Sequence, residues 1–294
     1  MSIVERALRR SRDARASQAK DGAALTGPVA PDQQSHSAGQ SQESNLFEDQ
    51  GGERLSLSSD ALDATGLISP TDVARLQAGQ YRNVRRVLAE QIAKDPAEGH
   101  RGVFVAVTSA MAGDGKTYTA FNLAMSFARE PDQETVLIDA DLPKRQLTKH
   151  LGLQDAIGLA DCLVEDRDLE TGMIHTDIPR LHIIPAGQSH VDGSELLGGG
   201  KFLALFERVR MRYPNLNIVL DAGPLLLSAE AEMLCRNVPQ ALLVVRHGVS
   251  TRKSVQDAIS RMGERPRTSL LLNAWEPSLF EEQTNYGDYY GSMV

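Results

Sequence analysis

What this chain of 294 residues is short of narrows its chemistry first. It has two cysteines, Cys162 and Cys235, far apart and outside any metal-type spacing, which excludes a disulfide framework and a zinc ribbon and fits a reduced cytosolic setting. Its seven histidines show no ligand pairing and read as surface or structural residues. No apolar run approaches the roughly 20 residues that cross a bilayer, and the opening residues lack the apolar core of a signal peptide. The expected location is therefore cytoplasmic. Positive charge is also scarce: 31 Lys and Arg stand against 39 Asp and Glu, a net charge of −8, which lacks the basic stripe that nucleic-acid binding requires. No internal repeat is visible.

The apolar content of 41% is enough for one substantial α/β domain with appendages. Residues 1–16 are basic, with Arg6, Arg9, Arg10, Arg12 and Arg15, and read as a helix with a small apolar stripe of Ile3, Val4, Ala7 and Leu8. That helix is either solvated or a docking element, since the stripe is too small for firm membrane binding. Residues 17–65 turn to Gln, Ser, Gly, Asp and Pro and read as a disordered linker. Residues 66–98 form a helical preamble, with Val73, Leu76, Val84, Val87, Leu88 and Ile92 at helical spacing. A core domain over 99–275 and a flexible tail over 276–294 complete the chain.

The informative stretch is residues 103–141, VFVAVTSAMAGDGKTYTAFNLAMSFAREPDQETVLIDAD. It reads as a strand, a glycine-bearing loop, a helix and a second strand ending in two aspartates. Successive amides through Ala112, Gly113, Asp114 and Gly115 can converge on phosphate oxygens, and the following helix turns its positive N-terminal end toward the same anion. Glycine suits the loop because a side chain would block that approach. Lys116 supplies a cation for the outer phosphates, the Thr117 hydroxyl is placed to ligate Mg2+, and Tyr118 completes the nucleotide-binding candidates. Ala110 replaces the first glycine of GxxxxGK[ST], so the loop alone is also compatible with an ordinary turn.

The flanking order decides between the two. Val136-Leu137-Ile138 delivers Asp139 and Asp141 to a strand end, and Ile218-Val219-Leu220 delivers Asp221 to another. Ligands of an open parallel sheet bind outside the carboxyl ends of its strands, so three carboxylates and one phosphate loop can converge there on one metal ion. Further strands are expected over 181–185, 241–246 and 269–273, with helices over 200–213 and 251–262. The alternation predicts an α/β P-loop NTPase fold, a doubly wound, mainly parallel sheet with helices on both faces. Asn273, at the end of the last strand, can read the edge of a base or simply make a turn.

These residues carry a family resemblance. SAMAGDGKTY, VLIDADLPKRQLTKHLGL, HIIPAG followed by Glu195-Leu196-Leu197, and IVLDAGPLLL resemble the bacterial tyrosine kinases, P-loop proteins unrelated to eukaryotic protein kinases. Within them the chain is most similar to the exosortase-associated tyrosine autokinases of exopolysaccharide systems, a similarity that includes the opening MSIVERAL and the helix around Gln80-Tyr81-Arg82. By position, the resemblance puts Lys116 and Thr117 in the phosphate loop, Asp139 and Asp141 in the second nucleotide motif, and Asp221 with Pro224 in a DxxP motif. Pro143 stands where that second motif usually has Arg, with Lys144 and Arg145 following. Ala112 and Asp114 replace the usual Pro and Glu. The oligomerisation pattern ExxRxxR has Gly79 in its first place and keeps Arg82 and Arg85. Partition and site-selection ATPases carry a signature Lys where this chain has Met111, which counts against a hydrolytic switch of that type.

The resemblance implies ATP and Mg2+ as cofactors and Lys116, Asp139, Asp141 and Asp221 as catalytic residues, with Thr117 and the three aspartates about the metal. A tyrosine must lose its proton to attack phosphorus, and either Asp139 or Asp141 is the candidate base. Residues 285–291, NYGDYYG, offer Tyr286, Tyr289 and Tyr290 as phosphoacceptors, against the alternative of an apolar clasp. The implied partners are an inner-membrane polysaccharide co-polymerase (chain-length determinant) as activator, further copies of the chain, and a phosphotyrosine phosphatase. An ATPase switch and an ATP-binding scaffold without kinase activity are the alternatives.

Overall fold

The structure, a computed structural model, describes residues 54–57, 62, 66–67, 71–93, 101–188, 193–264 and 266–274. The basic segment 1–16, most of the linker and the tail with Tyr286, Tyr289 and Tyr290 lie outside the described residues.

In chain order the elements are α1 (Thr71–Ala93), β1 (Phe104–Ser109), α2 (Lys116–Phe127), β2 (Thr135–Asp139), α3 (Gln146–His150), α4 (Leu159–Glu165), β3 (Ile174–His175) and β4 (Leu181–Ile184). There follow α5 (Gly193–Gly198), α6 (Gly200–Arg212), β5 (Asn217–Pro224), α7 (Ala229–Asn237), β6 (Gln240–Arg246), α8 (Arg252–Met262) and β7 (Arg267–Asn273). The seven strands form one sheet in the order β3-β4-β2-β5-β1-β6-β7. All neighbours are parallel except the short β3, which pairs antiparallel with β4.

The central strands read as continuous apolar runs because both faces of the sheet are covered. Phe104 and Ala106 of β1, Ile218 and Leu220 of β5, and Ala241 and Leu243 of β6 pack on one side with Phe202, Leu234 and Met262 from the helices. The alternate residues Val105, Val107, Val219, Leu242 and Val244 pack on the other with Phe121, Leu123 and Phe127 of α2 and Leu88 of α1. This is the doubly wound arrangement expected from the alternation of strands and helices.

The order places the mouth of the sheet. From β1 the chain winds one way to β2, and from β5 it returns across β1 to β6, so the loop after β1 opens at a switch point. Register does the rest: Asp221 stands opposite both Val107 of β1 and Asp139 of β2. The aspartates at the ends of β2 and β5 thus reach the same level as the loop.

Residues 54–57 and 62, within the stretch read as linker, pack on this domain. Leu55 bridges to Thr176 in parallel, and the Ser56 hydroxyl and Leu57 N–H both donate to the Asp177 carboxylate, at 3.1 and 2.9 Å. Leu57, Leu62 and Leu67 are buried in the α2-side core, and the Asn122 amide donates to the Leu67 carbonyl. Isolated leucines in a polar stretch carry no periodicity, yet each finds an apolar site on the finished surface. Leu62→Ala is expected to cost about 2–5 kcal/mol, the usual range for a buried leucine, where an exposed linker position would cost under about 0.5 kcal/mol; urea unfolding of the variant beside the parent distinguishes these.

Candidate functional site

The loop between β1 and α2 is bent by Gly113 and Gly115, with φ of 89° and 95°, a region that side-chain-bearing residues rarely adopt. A Cβ on Gly115 would also lie 2.1 Å from the Asn273 amide nitrogen. The first α2 amide to find a helical acceptor outside the helix is that of Thr119, which donates to the Gly115 carbonyl at 2.9 Å. The amides of the first helical turn therefore face the loop's concavity with the positive end of the helix behind them.

Lys116 extends from the first turn of α2 beneath this loop. Its Nζ lies 3.1 Å from Asp141 Oδ2 and 3.3 Å from Thr117 Oγ1, and the residue is 9% exposed. Burial alone would lower its pKa, but the carboxylates of Asp221, Asp141 and Asp139 outweigh burial and hold it above the ordinary lysine value. The cation is thus secure.

The three aspartates are close but not equivalent. Asp139 is fully buried and engaged on both oxygens: Oδ1 accepts the Asp141 N–H at 3.2 Å, and Oδ2 accepts the N–H and hydroxyl of Thr148 at 2.8 and 2.7 Å. Burial raises it to about 6 despite those donors. Asp141 faces Lys116. Asp221 is fully buried and neither of its oxygens has a well-formed hydrogen bond. Burial pushes its carboxyl up to about 7, against the opposing pull of the Lys116 charge.

A fully buried carboxylate with only the nearby Thr117 hydroxyl and the Lys116 charge to offset it is a group that a cation would satisfy, so these residues fit a hard divalent ion such as Mg2+. Among the described residues, however, no three His, Cys, Asp or Glu side chains are grouped to hold one ion. Of the three aspartates, Asp139 already accepts from the Asp141 amide and from both donors of Thr148, contacts that brace the turn after β2. Thr117, Asp221 and Asp141 are the side chains that would hold such an ion, which would supply Lewis-acid charge beside the loop.

Other candidates are distributed around this centre. Ala112, Gly113, Asp114 and Gly115 form the loop, with Asp114 buried and its carboxylate turned to the Met111 N–H rather than to the mouth. The Tyr118 side chain turns away toward α1, where its hydroxyl bonds Gln77, so only its main chain faces the loop. Asn273 donates to the Asp114 carbonyl at 2.9 Å, which leaves its carbonyl oxygen as an acceptor at the sheet rim. Beside it runs a groove of about 550 Å3 between α1 and β7, lined by Gln77, Tyr118, Leu272, Asn273 and Ala274 among others. On α1, Arg82 is exposed, while Arg85 donates to the Ser126 carbonyl and pairs with Glu130 of the same chain. Thr148 was not legible in advance; a threonine nine residues after a strand-end aspartate gives no sequence signal.

The Asp221 carboxyl sets a pH dependence of stability. Folding raises its affinity for a proton from the ordinary value near 3.8 to about 7, so between those values the folded state holds a proton that the unfolded state has lost. Stability of the metal-free protein therefore falls as pH rises from about 4 to about 7, and Asp221→Asn removes the Asp221 share of that fall, leaving the part due to Asp139, raised to about 6. Urea unfolding at pH 5 and pH 8 should show the variant gaining on the parent at the higher pH, on the order of 1–3 kcal/mol.

No family model matches the chain. Tyrosine-protein kinase wzc of Salmonella typhi is 30% identical over 223 residues, which are 75% of this chain and 29% of that protein. Tyrosine-protein kinase YwqD of Bacillus subtilis is 25% identical over 226 residues, 77% of this chain and 91% of that protein. The solved kinase domain of Escherichia coli tyrosine kinase ETK superposes with a TM-score of 0.58 at 26% identity, covering 68% of this chain and 78% of that one. The chain spans less than a third of the Salmonella typhi and Acinetobacter johnsonii tyrosine-protein kinases it matches, 29% and 20% of their lengths. A match covering 77% of 294 residues cannot miss the loop and the strand end at Asp141. The shared part thus contains the site itself, and the chain belongs to the bacterial tyrosine kinase family.

Proposed function

We propose that this chain is an ATP-dependent protein-tyrosine autokinase of an exopolysaccharide system, in the exosortase-associated branch, and that it phosphorylates its own Tyr286, Tyr289 and Tyr290. The observation that carries the reading is the Lys116–Asp141 pair beside the under-satisfied, fully buried Asp221 at the phosphate loop. Lys116 and the loop amides receive the outer phosphates and neutralise the charge that develops during transfer. Thr117, Asp221 and Asp141 would hold a divalent ion, whose positive charge would polarise the outer phosphates. Asp141 is the base for the incoming phenol, because Asp139 already accepts three hydrogen bonds, from the Asp141 amide and from Thr148. The base of ATP lies at the upper end of the α1–β7 groove, where the Asn273 oxygen accepts from the adenine amino group.

The tyrosine names of the relatives support the acceptor chemistry, and the clustering of three of six tyrosines at 286–290 supports their identity as acceptors. Phosphorylation adds about −1.5 to −2 charge per tyrosine to a tail that carries Glu276, Glu281, Glu282 and Asp288 and no Lys or Arg. Modified tails would therefore leave a neighbour's acidic site, giving a cycle of assembly and separation that a phosphotyrosine phosphatase resets. No helix among the described residues is long and apolar enough to cross a membrane. An inner-membrane co-polymerase holds the chain at the membrane from the cytoplasmic side and activates it, and Arg82 and Arg85 of α1 serve contacts between copies, Arg82 from an exposed position.

Incubation with labelled ATP, Mg2+ and a co-polymerase cytosolic fragment tests this. Label is expected on the tail, at least 100-fold reduced in Lys116→Met and absent in the Tyr286→Phe, Tyr289→Phe, Tyr290→Phe triple variant, by the usual size of phosphate-positioning effects. Binding of ATP without any label transfer would favour the switch or scaffold reading.

A further inference from the structure

The phosphate loop is shaped from outside by the two strands beyond it. Arg246, the last residue of β6, reaches with Nη1 to the Gly113 carbonyl at 3.0 Å, and Asn273, the last residue of β7, donates to the Asp114 carbonyl at 2.9 Å. A trans peptide points its C=O and N–H in opposite directions. Drawing the Gly113 carbonyl out toward Arg246 therefore turns the Asp114 N–H inward, and drawing the Asp114 carbonyl toward Asn273 does the same for the Gly115 N–H. These inward amides are the ones an anion would meet.

The Asp114 carboxylate ties the loop a third time. A buried carboxylate in an anion-receiving loop would repel the ligand if it faced it; here Oδ2 accepts the Met111 N–H at 3.2 Å and Oδ1 accepts the Ser250 hydroxyl at 3.0 Å. The Ser250 oxygen also accepts the Arg246 N–H at 2.8 Å, closing the turn after β6 onto itself. Arg246 and Ser250 thus belong to one small unit that grips the loop at Gly113 and Asp114.

The geometry points to Arg246 and Ser250 as positioning residues for the nucleotide phosphates: acting through the Gly113 carbonyl and the Asp114 carboxylate, they aim the loop amides that receive the anion. This rests on the nucleotide reading above and extends it to a turn that carries no phosphate-binding motif. Neither residue needs to touch the nucleotide.

The test is calorimetric titration of wild type, Arg246→Ala, Arg246→Gln and Ser250→Ala with ATP and Mg2+, with adenosine measured by competition and melting temperatures alongside. ATP affinity should fall roughly 3- to 10-fold in Arg246→Ala and Ser250→Ala, the effect of one lost hydrogen bond. Arg246→Gln, which keeps a donor without the charge, should restore most of it, and adenosine affinity should not move because adenosine carries no phosphate. A Gln variant as weak as the Ala variant, with a loss that disappears at high salt, would mean that the guanidinium acts as a charge on the phosphate and would overturn the proposal. So would a parallel fall for adenosine, which marks general disorder of the site, or no fall in either Ala variant. Wild type that fails to bind ATP would instead remove the nucleotide reading, and the positioning role would fall with it.

Discussion

Three buried carboxylates meet one buried ammonium at the end of the sheet, and the contact between Lys116 and Asp141 at 3.1 Å is the interaction on which the others depend. With all groups ionised this centre carries two excess negative charges in a region closed to water, a costly arrangement unless each carboxylate is separately accounted for. The chain uses a different device for each. Thr148 and a main-chain amide satisfy Asp139, Lys116 satisfies Asp141, and Asp221 moves toward its neutral form. The last is the least complete: both Asp221 oxygens lack a well-formed hydrogen bond, whereas for Asp141 only Oδ2 does and it has the Lys116 charge at 3.1 Å. Two excess charges are what a divalent ion would neutralise, and the least satisfied carboxylate lies beside the Thr117 hydroxyl.

The sheet is what makes this concentration of charge possible. Parallel strands bring their carboxyl ends to one edge, and the register that sets Asp221 opposite Asp139 leaves no freedom to slide, since a one-residue slip would turn every side chain to the other face. Both faces are sealed by helices, so the aspartates are desolvated by the same packing that holds the strands. The main chain around these groups is tied across strands as well: the Ala140 N–H donates to the Asp221 carbonyl, and the Thr108 hydroxyl to the Gly223 carbonyl. Function here is built on strand ends rather than on free loops, which keeps Lys116 and the carboxylates within hydrogen-bond reach of one another before any ligand arrives.

Much of this was legible in the sequence because burial on two faces writes itself as unbroken apolar runs. The strands at Phe104–Ser109, Thr135–Asp139 and Asn217–Pro224 were each read within a few residues, as was the helix from Lys116. What escaped was short or depended on distant partners. The two-residue β3 has no room for a period, and the five-residue α3 none for an amphipathic stripe. Tyr118 belongs to the loop by position, but helical geometry turns its ring toward Gln77 on α1. The leucines at 55, 57 and 62 sit in polar surroundings, and only the shape of the assembled surface explains their burial. The unequal roles of Asp139, Asp141 and Asp221 were also invisible, because a carboxylate's duty is fixed by which donors reach it, and Thr148 reaches only one.

The same reasoning explains why the loop tolerates its departures from the usual pattern. Ala110 in place of a first glycine is buried at 1% exposure and its carbonyl accepts the Leu226 N–H, so that position packs against the strand-5 turn and never has to approach a phosphate. The glycines that remain, at 113 and 115, are the two with positive φ, and one of them has Asn273 pressed against the place where a Cβ would be. Glycine is thus retained where the backbone needs its freedom and lost where it does not. Asp114, in the place where Glu is usual, has the shorter side chain, and at that length its oxygens bond Met111 on one side and Ser250 on the other. The loop's conformation is consequently held by contacts to three separate strands, and a sequence motif that records only the loop captures half of what maintains it.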